Sequence, residues 1–310
     1  MLENFYFCYS YKLKIMSING EIMPLKMFDE KKPIHALSRV KNVIAVAAGK
    51  GGVGKSSVAV NLAMALKRLG RTVGIMDTDI YGPSVRRMLP EDRLPEQKGD
   101  ILQPALSQGI RVMSMAYFRK DNEAAVIRAP IANGLISQFI NNTDWGDLDD
   151  LIIDFPPGTG DIQLTLCQQA HITAALMVTT PQQVAVSDVR KAMELFTKVH
   201  VPVVGVVENM SYYFHERSGE KIYLFGRGGG KALAEEAGVQ LLGSLPIDPD
   251  FSHFCDMGIS ILSQKPESPL SKEFLHLAER VLDHVEVMKG ENGKHMENFE
   301  LLWEDSSHAS

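Results

Sequence analysis

The sequence is poor in cysteine, in excess basic charge and in long apolar runs. Its 310 residues include three cysteines, Cys8, Cys167 and Cys255, which lie far apart and form neither a disulfide framework nor a C-x-x-C motif. No apolar stretch reaches the roughly 20 residues of a membrane-spanning helix. The net charge of −6 argues against a broad nucleic-acid-binding face. We therefore expect a cytoplasmic protein with no stable membrane association and no nucleic-acid partner.

What the sequence does contain is the pattern of a large α/β domain. Apolar strands alternate with helical stretches, which is typical of βαβ units and predicts a mostly parallel sheet with helices on both faces. The predicted strands are Val43–Ala48, Thr72–Met76, Ile110–Met115, Leu151–Asp154, Ala174–Thr179, Val203–Val207 and Leu241–Leu245. The predicted helices are Ser56–Leu69, Ile131–Asn141, Ile162–Gln169, Ala185–Lys198, Lys231–Ala237 and Ser271–Val287.

Composition divides the chain into three parts. Residues 1–40 are an aromatic-rich N-terminal extension without a signal-peptide pattern, and Met16 or Met23 could equally be the first residue. Residues 41–288 form the predicted α/β domain. Residues 289–310 form a polar tail, which we expect to be flexible.

Two segments outside the periodic pattern need separate interpretation. Residues 90–108 combine prolines with many charged residues and are predicted to be a loop. In the tail, Phe299 and Trp303 are flanked by acidic residues such as Glu300 and Glu304. Anionic lipid would repel these carboxylates, so we interpret the apolar residues as a small docking patch and not as a membrane anchor.

A glycine-rich stretch over residues 49–56 joins the first strand of the domain to its first helix. It reads Gly-Lys-Gly-Gly-Val-Gly-Lys-Ser and satisfies the pattern G-x-x-x-x-G-K-[ST] in full. The glycines let backbone N–H groups surround a polyphosphate, and the helix directs the positive end of its dipole at the same anion. Lys55 would reach the β- and γ-phosphates, and the Ser56 hydroxyl can ligate Mg²⁺. The predicted phosphate-binding residues are Gly49, Lys50, Gly51, Gly52, Val53, Gly54, Lys55, Ser56 and Ser57.

Acidic residues follow two of the predicted strands. One strand ends in Asp77-Thr78-Asp79, and another ends in Asp154, which is the Walker-B arrangement. The carboxyl ends of parallel strands meet at the ligand-binding edge of such a sheet. Carboxylates there can hold Mg²⁺ and orient an attacking water, although capping of the strand end is the alternative for the first pair. We predict Ser56, Asp79 and Asp154 as Mg²⁺ ligands, and Lys50, Lys55 and Asp79 as the catalytic residues.

Two further segments follow strands that should end at the same edge. Asn209 comes just after Val203–Val207, and its amide could pair with adenine or close a local Asx turn; spacing does not decide between the two. Residues 244–248 form a similar strand-end segment, and their Pro246 is included in the predicted nucleotide-binding set.

Together these motifs resemble those of the Mrp/ApbC family of P-loop ATPases, the iron–sulfur cluster carriers, which are related to MinD and ParA and share a deviant Walker A motif. The resemblance extends from about Lys41 to Gln264. The matching stretches are residues 49–57, 77–84, 154–165, 178–182, 208–211 and 225–230.

The resemblance implies an ATP-binding and ATP-hydrolysing carrier or assembly factor that works as a nucleotide-switched homodimer. Its cofactors would be ATP and Mg²⁺, its cargo a [4Fe–4S] cluster, and its partners apo iron–sulfur client proteins. Lys50 would reach across the dimer to the partner's nucleotide, and Asp79 would lie in switch I. Asp154 would be the Walker-B acid, and Asn209 would contact adenine.

The sequence departs from the family at the position of the cluster ligands. Members carry C-x-x-C just after the Asn-Met-Ser segment, whereas His215 and Ser218 stand there in this chain. Thiolates are the normal ligands of such clusters, and histidine replaces them only in special sites. The cluster ligands are therefore unassigned, with Cys255, near His253, as a candidate. The alternative functions are a MinD/ParA-like regulatory or positioning ATPase without a cluster, and a scaffold that binds nucleotide without turnover.

Overall fold

Parallel strands linked by helices form the centre of the fold, as seen in a computed structural model of the chain. The residues that the structure describes are 13–16, 22–25, 36–79, 82, 84–118, 129–158, 160–215 and 217–307. The strands are β1 (Leu13–Met16), β2 (Ile22–Leu25), β3 (Val40–Ala47), β4 (Val73–Asp77), β5 (Glu96–Lys98), β6 (Ile101–Gln103), β7 (Ala105–Ser107), β8 (Ile110–Ser114), β9 (Leu148–Asp154), β10 (Ala174–Thr179), β11 (Val203–His215), β12 (Glu220–Ile222) and β13 (Leu241–Ile247). The helices are α1 (Lys55–Arg68), α2 (Val85–Met88), α3 (Ala129–Asn141), α4 (Asp161–Gln169), α5 (Gln183–Lys198), α6 (Gly229–Ala237), α7 (Pro249–Asp256), α8 (Ile261–Gln264) and α9 (Pro269–Ser307).

The main sheet has nine strands in the order β12-β11-β10-β3-β9-β4-β8-β7, with β13 also paired to β11. The pairs in its middle are parallel, whereas β7 and β12 add to it antiparallel. Every residue of β4 and β10 is buried. Strands that are covered on both faces become continuously apolar, which is why the sequence shows unbroken apolar runs. The predicted α/β class with a mostly parallel, helix-flanked sheet is confirmed.

The predicted loop over residues 90–108 is wrong in part, because three short strands lie within it. β5 and β6 pair antiparallel around a turn at Gly99, and β7 pairs with β8 around Gln108 and Gly109. The prolines that suggested a loop stand outside these strands: Pro95 precedes β5 and Pro104 separates β6 from β7. Proline is tolerated at strand boundaries, so here it divides a strand meander.

The last helix also extends beyond its predicted end at Val287. α9 continues to Ser307, and Lys289 Nζ contacts the backbone oxygen of Lys41 at 3.2 Å and the Asn42 side chain at the base of β3. Much of the extension over residues 1–40 lies outside the described residues. The division into extension, domain and flexible tail stays a prediction. Among the helices that the structure describes, none is both long and apolar enough to cross a membrane.

Polar pairs join the strands at the amino-terminal edge of the sheet. Asp150 of β9 is fully buried and accepts hydrogen bonds from Asn42 Nδ2 at 2.7 Å and from Arg71 Nη2 at 3.0 Å. The neighbouring Asp149 accepts from Lys41 and Thr72, which hold the pKa of Asp149 well below its usual range. β3, β9 and the start of β4 are thereby fixed in register.

We expect Asp150→Ala to lower the free energy of unfolding by about 3 kcal/mol, because it leaves Arg71 and Asn42 without their buried partner. Asp147→Ala is the matched control, since Asp147 pairs with Arg39 on the exposed surface and should change stability little. Urea denaturation of both variants measures the difference. Equal losses in the two variants would show that Asp150 is not a structural anchor.

Candidate nucleotide-binding site

The glycine-rich loop lies between the end of β3 and the start of α1. Gly52 and Gly54 have φ angles of 85° and 81°, in the left-handed region that favours glycine. Gly49 is required for a different reason: a Cβ there would lie 2.0 Å from the backbone carbon of Asp188 in α5. Helix α5 therefore packs directly against the first residue of the loop, and helix α1 begins at the end of the loop.

Lys55, Ser56 and Asp154 meet at the foot of this loop. Lys55 Nζ lies 2.5 Å from Asp154 Oδ1, and the Ser56 hydroxyl donates to Asp154 Oδ2 at 2.6 Å. Asp154 is 0% exposed and Lys55 is 7% exposed, so the ion pair is shielded from water. Burial raises the pKa of Asp154, and its contacts with Lys55 and Ser56 oppose that rise. Three residues predicted from two separate motifs thus converge on one point.

This convergence fits a magnesium–phosphate site. A carboxylate and a hydroxyl are ligands that Mg²⁺ accepts, and a lysine beside them supplies positive charge for phosphate oxygens. Asp154 ends β9, which pairs in parallel with β3, the strand that leads into the glycine-rich loop. This pairing brings Asp154 next to the loop although the two motifs are far apart in the sequence. Ser57 and Lys50, which flank the contact in the loop, are both half-buried.

The segment after β4 is tied to the same point through its backbone. Thr78 donates from its N–H and its hydroxyl to the backbone oxygen of Asp154, at 3.2 Å and 2.7 Å. Asp77 is fully buried and accepts from Ser114 Oγ at 2.9 Å and from the Asp79 N–H at 3.1 Å. Burial and the nearby charge of Asp154 raise the pKa of Asp77 to about 7. Asp77 therefore anchors the segment, while Asp79 is half-buried and its Oδ1 accepts from the Gly82 N–H.

Sequence reasoning missed two side chains that shape this region. Ser114 ends β8 beside Asp77, and a polar residue closing an apolar strand was the available signal. Gln163 of α4 folds back onto the Pro-Pro-Gly segment, accepting from the Gly160 N–H at 2.7 Å and donating to the Pro157 carbonyl at 2.9 Å. Gln163 is the third residue of α4, where glutamine commonly reaches back to the backbone N–H at the start of the helix, so its position was the available signal.

Asn209 lies against the glycine-rich loop. Its Nδ2 donates to the Val53 carbonyl at 2.9 Å, and a Cβ at Gly54 would lie 2.2 Å from the same nitrogen. The amide thus bonds to a segment distant in sequence. Pro246 is buried in β13 opposite Tyr212 of β11, on the next strand along the sheet. The adenine contact of Asn209 and the nucleotide contact of Pro246 stay predictions.

Comparison with known proteins places the chain in a family. A family model described as ParA, the NUBPL iron-transfer P-loop NTPases, matches residues 39–282. The chain belongs to this family. The match confirms the resemblance to cluster-carrier P-loop NTPases that the motifs indicate.

Individual relatives agree with the assignment to the NUBPL family. An iron–sulfur cluster carrier protein of Pseudomonas fragi is 44% identical over 268 residues, covering 85% of this chain and 92% of the relative. The protein of that name from Escherichia coli K12 is 45% identical over 261 residues, covering 82% and 71%.

Solved structures support the fold of the NUBPL family. A nucleotide-binding protein from Archaeoglobus fulgidus, in complex with ADP, superposes with a TM-score of 0.66 at 36% identity, covering 77% of this chain and 94% of that chain. The MinD cell division ATPase of Pyrococcus furiosus has a TM-score of 0.57 at 24% identity, covering 78% and 99%, and shows the fold alone.

The hairpin of β11 and β12 carries His215 and Ser218, the two residues at the positions where cysteine ligands are expected in the family. His215 Nδ1 lies 2.9 Å from Ser218 Oγ and 3.3 Å from the Ser218 backbone nitrogen. Ser218 Oγ also lies 3.3 Å from Glu220 Oε2, so its single proton serves either the imidazole or the carboxylate. Hydrogen bonds close this turn, and the side chains of His215 and Ser218 contact each other.

In the part of the chain that the structure describes, no group of three or more histidine, cysteine or acidic side chains could hold a metal ion. Cys255 lies in α7 and packs half-buried against the core. Burial, aided by Asp256, raises the pKa of Cys255 to about 11, and burial raises that of Cys167 to about 11. Burial explains the high pKa of both thiols, and the assignment of Cys255 as a cluster ligand stays a prediction. Cys8 lies outside the described residues.

We expect stability to fall more steeply with rising pH in the wild-type protein than in Asp77→Asn. With its pKa raised to about 7, Asp77 keeps a proton in the folded protein that the unfolded chain, with a pKa near 4, has released. The stability from this proton is full below about pH 4 and is lost as pH rises through about 7. Urea titrations from about pH 5 to about pH 8, in EDTA without nucleotide, measure it. Asp283→Asn on exposed α9 is the control, and equal pH slopes in wild type and Asp77→Asn would contradict the assignment.

Proposed function

We propose that this chain is an ATP-binding and ATP-hydrolysing carrier or assembly factor for iron–sulfur clusters, acting in the cytoplasm as a nucleotide-switched homodimer. The observation that carries the proposal is the convergence of Lys55, Ser56 and Asp154 at the foot of the glycine-rich loop. The relatives named iron–sulfur cluster carrier proteins support the client class, which would be apo iron–sulfur proteins.

In this proposal the loop residues 49–57 bind the phosphates of ATP, and Asn209 and Pro246 lie toward the base. Ser56, Asp79 and Asp154 would hold Mg²⁺, which supplies charge neutralisation on the phosphates when bound. Lys55 leaves the Asp154 carboxylate to bind the phosphates. Asp79 orients the attacking water. It is half-buried, whereas the neighbouring carboxylates of Asp77 and Asp154 are fully buried.

The switch follows from this exchange of partners. Lys55 and Ser56 open α1, and Thr78 ties the Asp77–Asp79 segment to Asp154, so a change at the phosphates reaches α2 through the same segment. Lys50 would reach the nucleotide of the second subunit, as the Walker A variant with an early lysine implies. Two subunits would then close around two nucleotides.

A second function is supported by the hairpin. Because His215 and Ser218 bond to each other and thiolates are absent there, a regulatory or positioning ATPase that holds no cluster is the alternative. In that case the ATP-driven change would act on a partner protein alone.

We expect Lys55→Ala to abolish ATP binding, since it removes the buried cation at the phosphates, and Lys50→Ala to spare binding but lower hydrolysis. Titration calorimetry with Mg-ATP and a phosphate-release assay measure the two effects. Lys272→Ala, on exposed α9, is the charge-matched control. Unchanged ATP affinity in Lys55→Ala would refute the P-loop assignment, and full turnover in Lys50→Ala would refute its role across the dimer.

We expect the wild-type protein to take up less iron than the double variant His215→Cys/Ser218→Cys when both are reconstituted anaerobically with iron and sulfide. The variant restores two thiolates per subunit at the hairpin, which is what a bridging cluster needs. Iron content and visible absorption after chelation give the result. Stoichiometric, chelator-resistant cluster on the wild type would support the carrier function, with Cys255→Ser as the next variant. No cluster on the wild type, with uptake by the variant, would favour the ATPase that acts through a partner.

A further inference from the structure

A buried carboxylate lies beside the nucleotide site without a role in the function proposed above. Glu208 of β11 is 3% exposed. Its Oε1 accepts from the Ser211 hydroxyl at 2.5 Å, and its Oε2 accepts from the Gly230 N–H at 2.6 Å. Both oxygens of this buried side chain are therefore hydrogen-bonded, as a buried polar group requires.

The hydrogen bond from the Gly230 N–H fixes Glu208 to helix α6. Gly230 is the second residue of α6, where the helix dipole favours a negative charge. A Cβ at Gly230 would lie 2.8 Å from the Glu208 Cβ, so glycine is what lets the helix come this close. The carboxylate therefore holds the middle of β11 to helix α6.

The second hydrogen bond of Glu208, from the Ser211 hydroxyl, lies at an irregularity in β11. The register of β11 against β13 shifts between Glu208 and Tyr212, and Met210 has a φ of 54°, which is unusual for a residue with a side chain. The bond from Ser211 to Glu208 spans this bulge. Asn209 is enclosed between the two bonded residues.

Asn209 is the residue of this bulge that reaches the nucleotide site. Its Nδ2 donates to the Val53 carbonyl at 2.9 Å, inside the glycine-rich loop. A bulge re-aims a side chain away from the direction that strand alternation would give it. The aim of Asn209 therefore depends on the two bonds of Glu208.

We propose that Glu208 is a positioning residue for the nucleotide site. It fixes both ends of the bulge, and so holds Asn209 against Val53 and sets the shape of the phosphate-binding loop. Glu208 acts through Asn209 and does not itself contact the nucleotide. The inference rests on the proposed function only in that ATP binds at the glycine-rich loop.

The test is a double-mutant cycle on ATP affinity with Glu208→Gln, Asn209→Ala and the combination. Glutamine keeps the size of the side chain, but its one oxygen can accept from only one of the two donors, and its NH2 group keeps a bond to Ser211 only by reversing the direction of that bond. We expect each single variant to raise the Kd and the KM for ATP about tenfold, the loss of roughly one buried hydrogen bond, with a smaller change in kcat. If Glu208 acts through Asn209, the double variant is also weakened about tenfold and not about a hundredfold.

The control is Glu235→Gln, which removes one carboxylate from the exposed face of the same helix α6 and should leave ATP affinity unchanged. Ser211→Ala removes one bond of Glu208 and should weaken ATP binding in the same direction by less. If the melting temperature shows that Glu208→Gln does not fold, the ATP affinity of Ser211→Ala tests the role of Glu208 in its place.

Multiplying effects in the double variant, or unchanged affinity in Glu208→Gln and Ser211→Ala, would overturn the role of Glu208. A wild-type protein that binds no ATP would instead refute the proposed function. The two failures are therefore distinguishable in one set of titrations.

Discussion

The buried contact of Lys55 and Ser56 with Asp154 is the constraint on which the nucleotide edge of the molecule depends. Asp154 has no access to water, so its charge is stable only while a cation or strong donors remain beside it. The contact joins the first turn of α1 to the end of β9, and Thr78 adds the end of β4 through the backbone of the same aspartate. Any ligand that takes Lys55 away must bring a replacement for its charge.

The parallel sheet supplies the scaffold for this contact. Its strands end at one edge, so groups that follow different strands meet there although long stretches of chain separate them. Two approaches complete the edge: α5 packs on Gly49 from one side, and the bulge of β11 brings Asn209 from the other. The glycine-rich loop is thus held at both ends and in the middle by separate elements.

Much of this arrangement could be predicted from sequence, for identifiable physical reasons. Strands buried on both faces are apolar without interruption, so β3, β4, β9 and β10 were recognisable. The glycine-rich motif was recognisable because its glycines stand where the backbone of a phosphate-binding loop requires them. The short strands at 96–107 were missed because each is too brief to show a period. The bond from Asn209 to Val53, between residues 156 positions apart, and the buried setting of Cys255 are tertiary facts that no local pattern contains.

The composition of the turn between β11 and β12 also affects how sensitive this part of the protein is to oxidation. Residues 211–222 contain neither cysteine nor methionine, so this edge offers no sulfur for oxygen or peroxide to attack. A pair of exposed thiolates in the same place would be open to oxidation whenever it carried no iron. With His215 and Ser218 in these places, the hairpin is closed by hydrogen bonds that oxidation of sulfur does not touch.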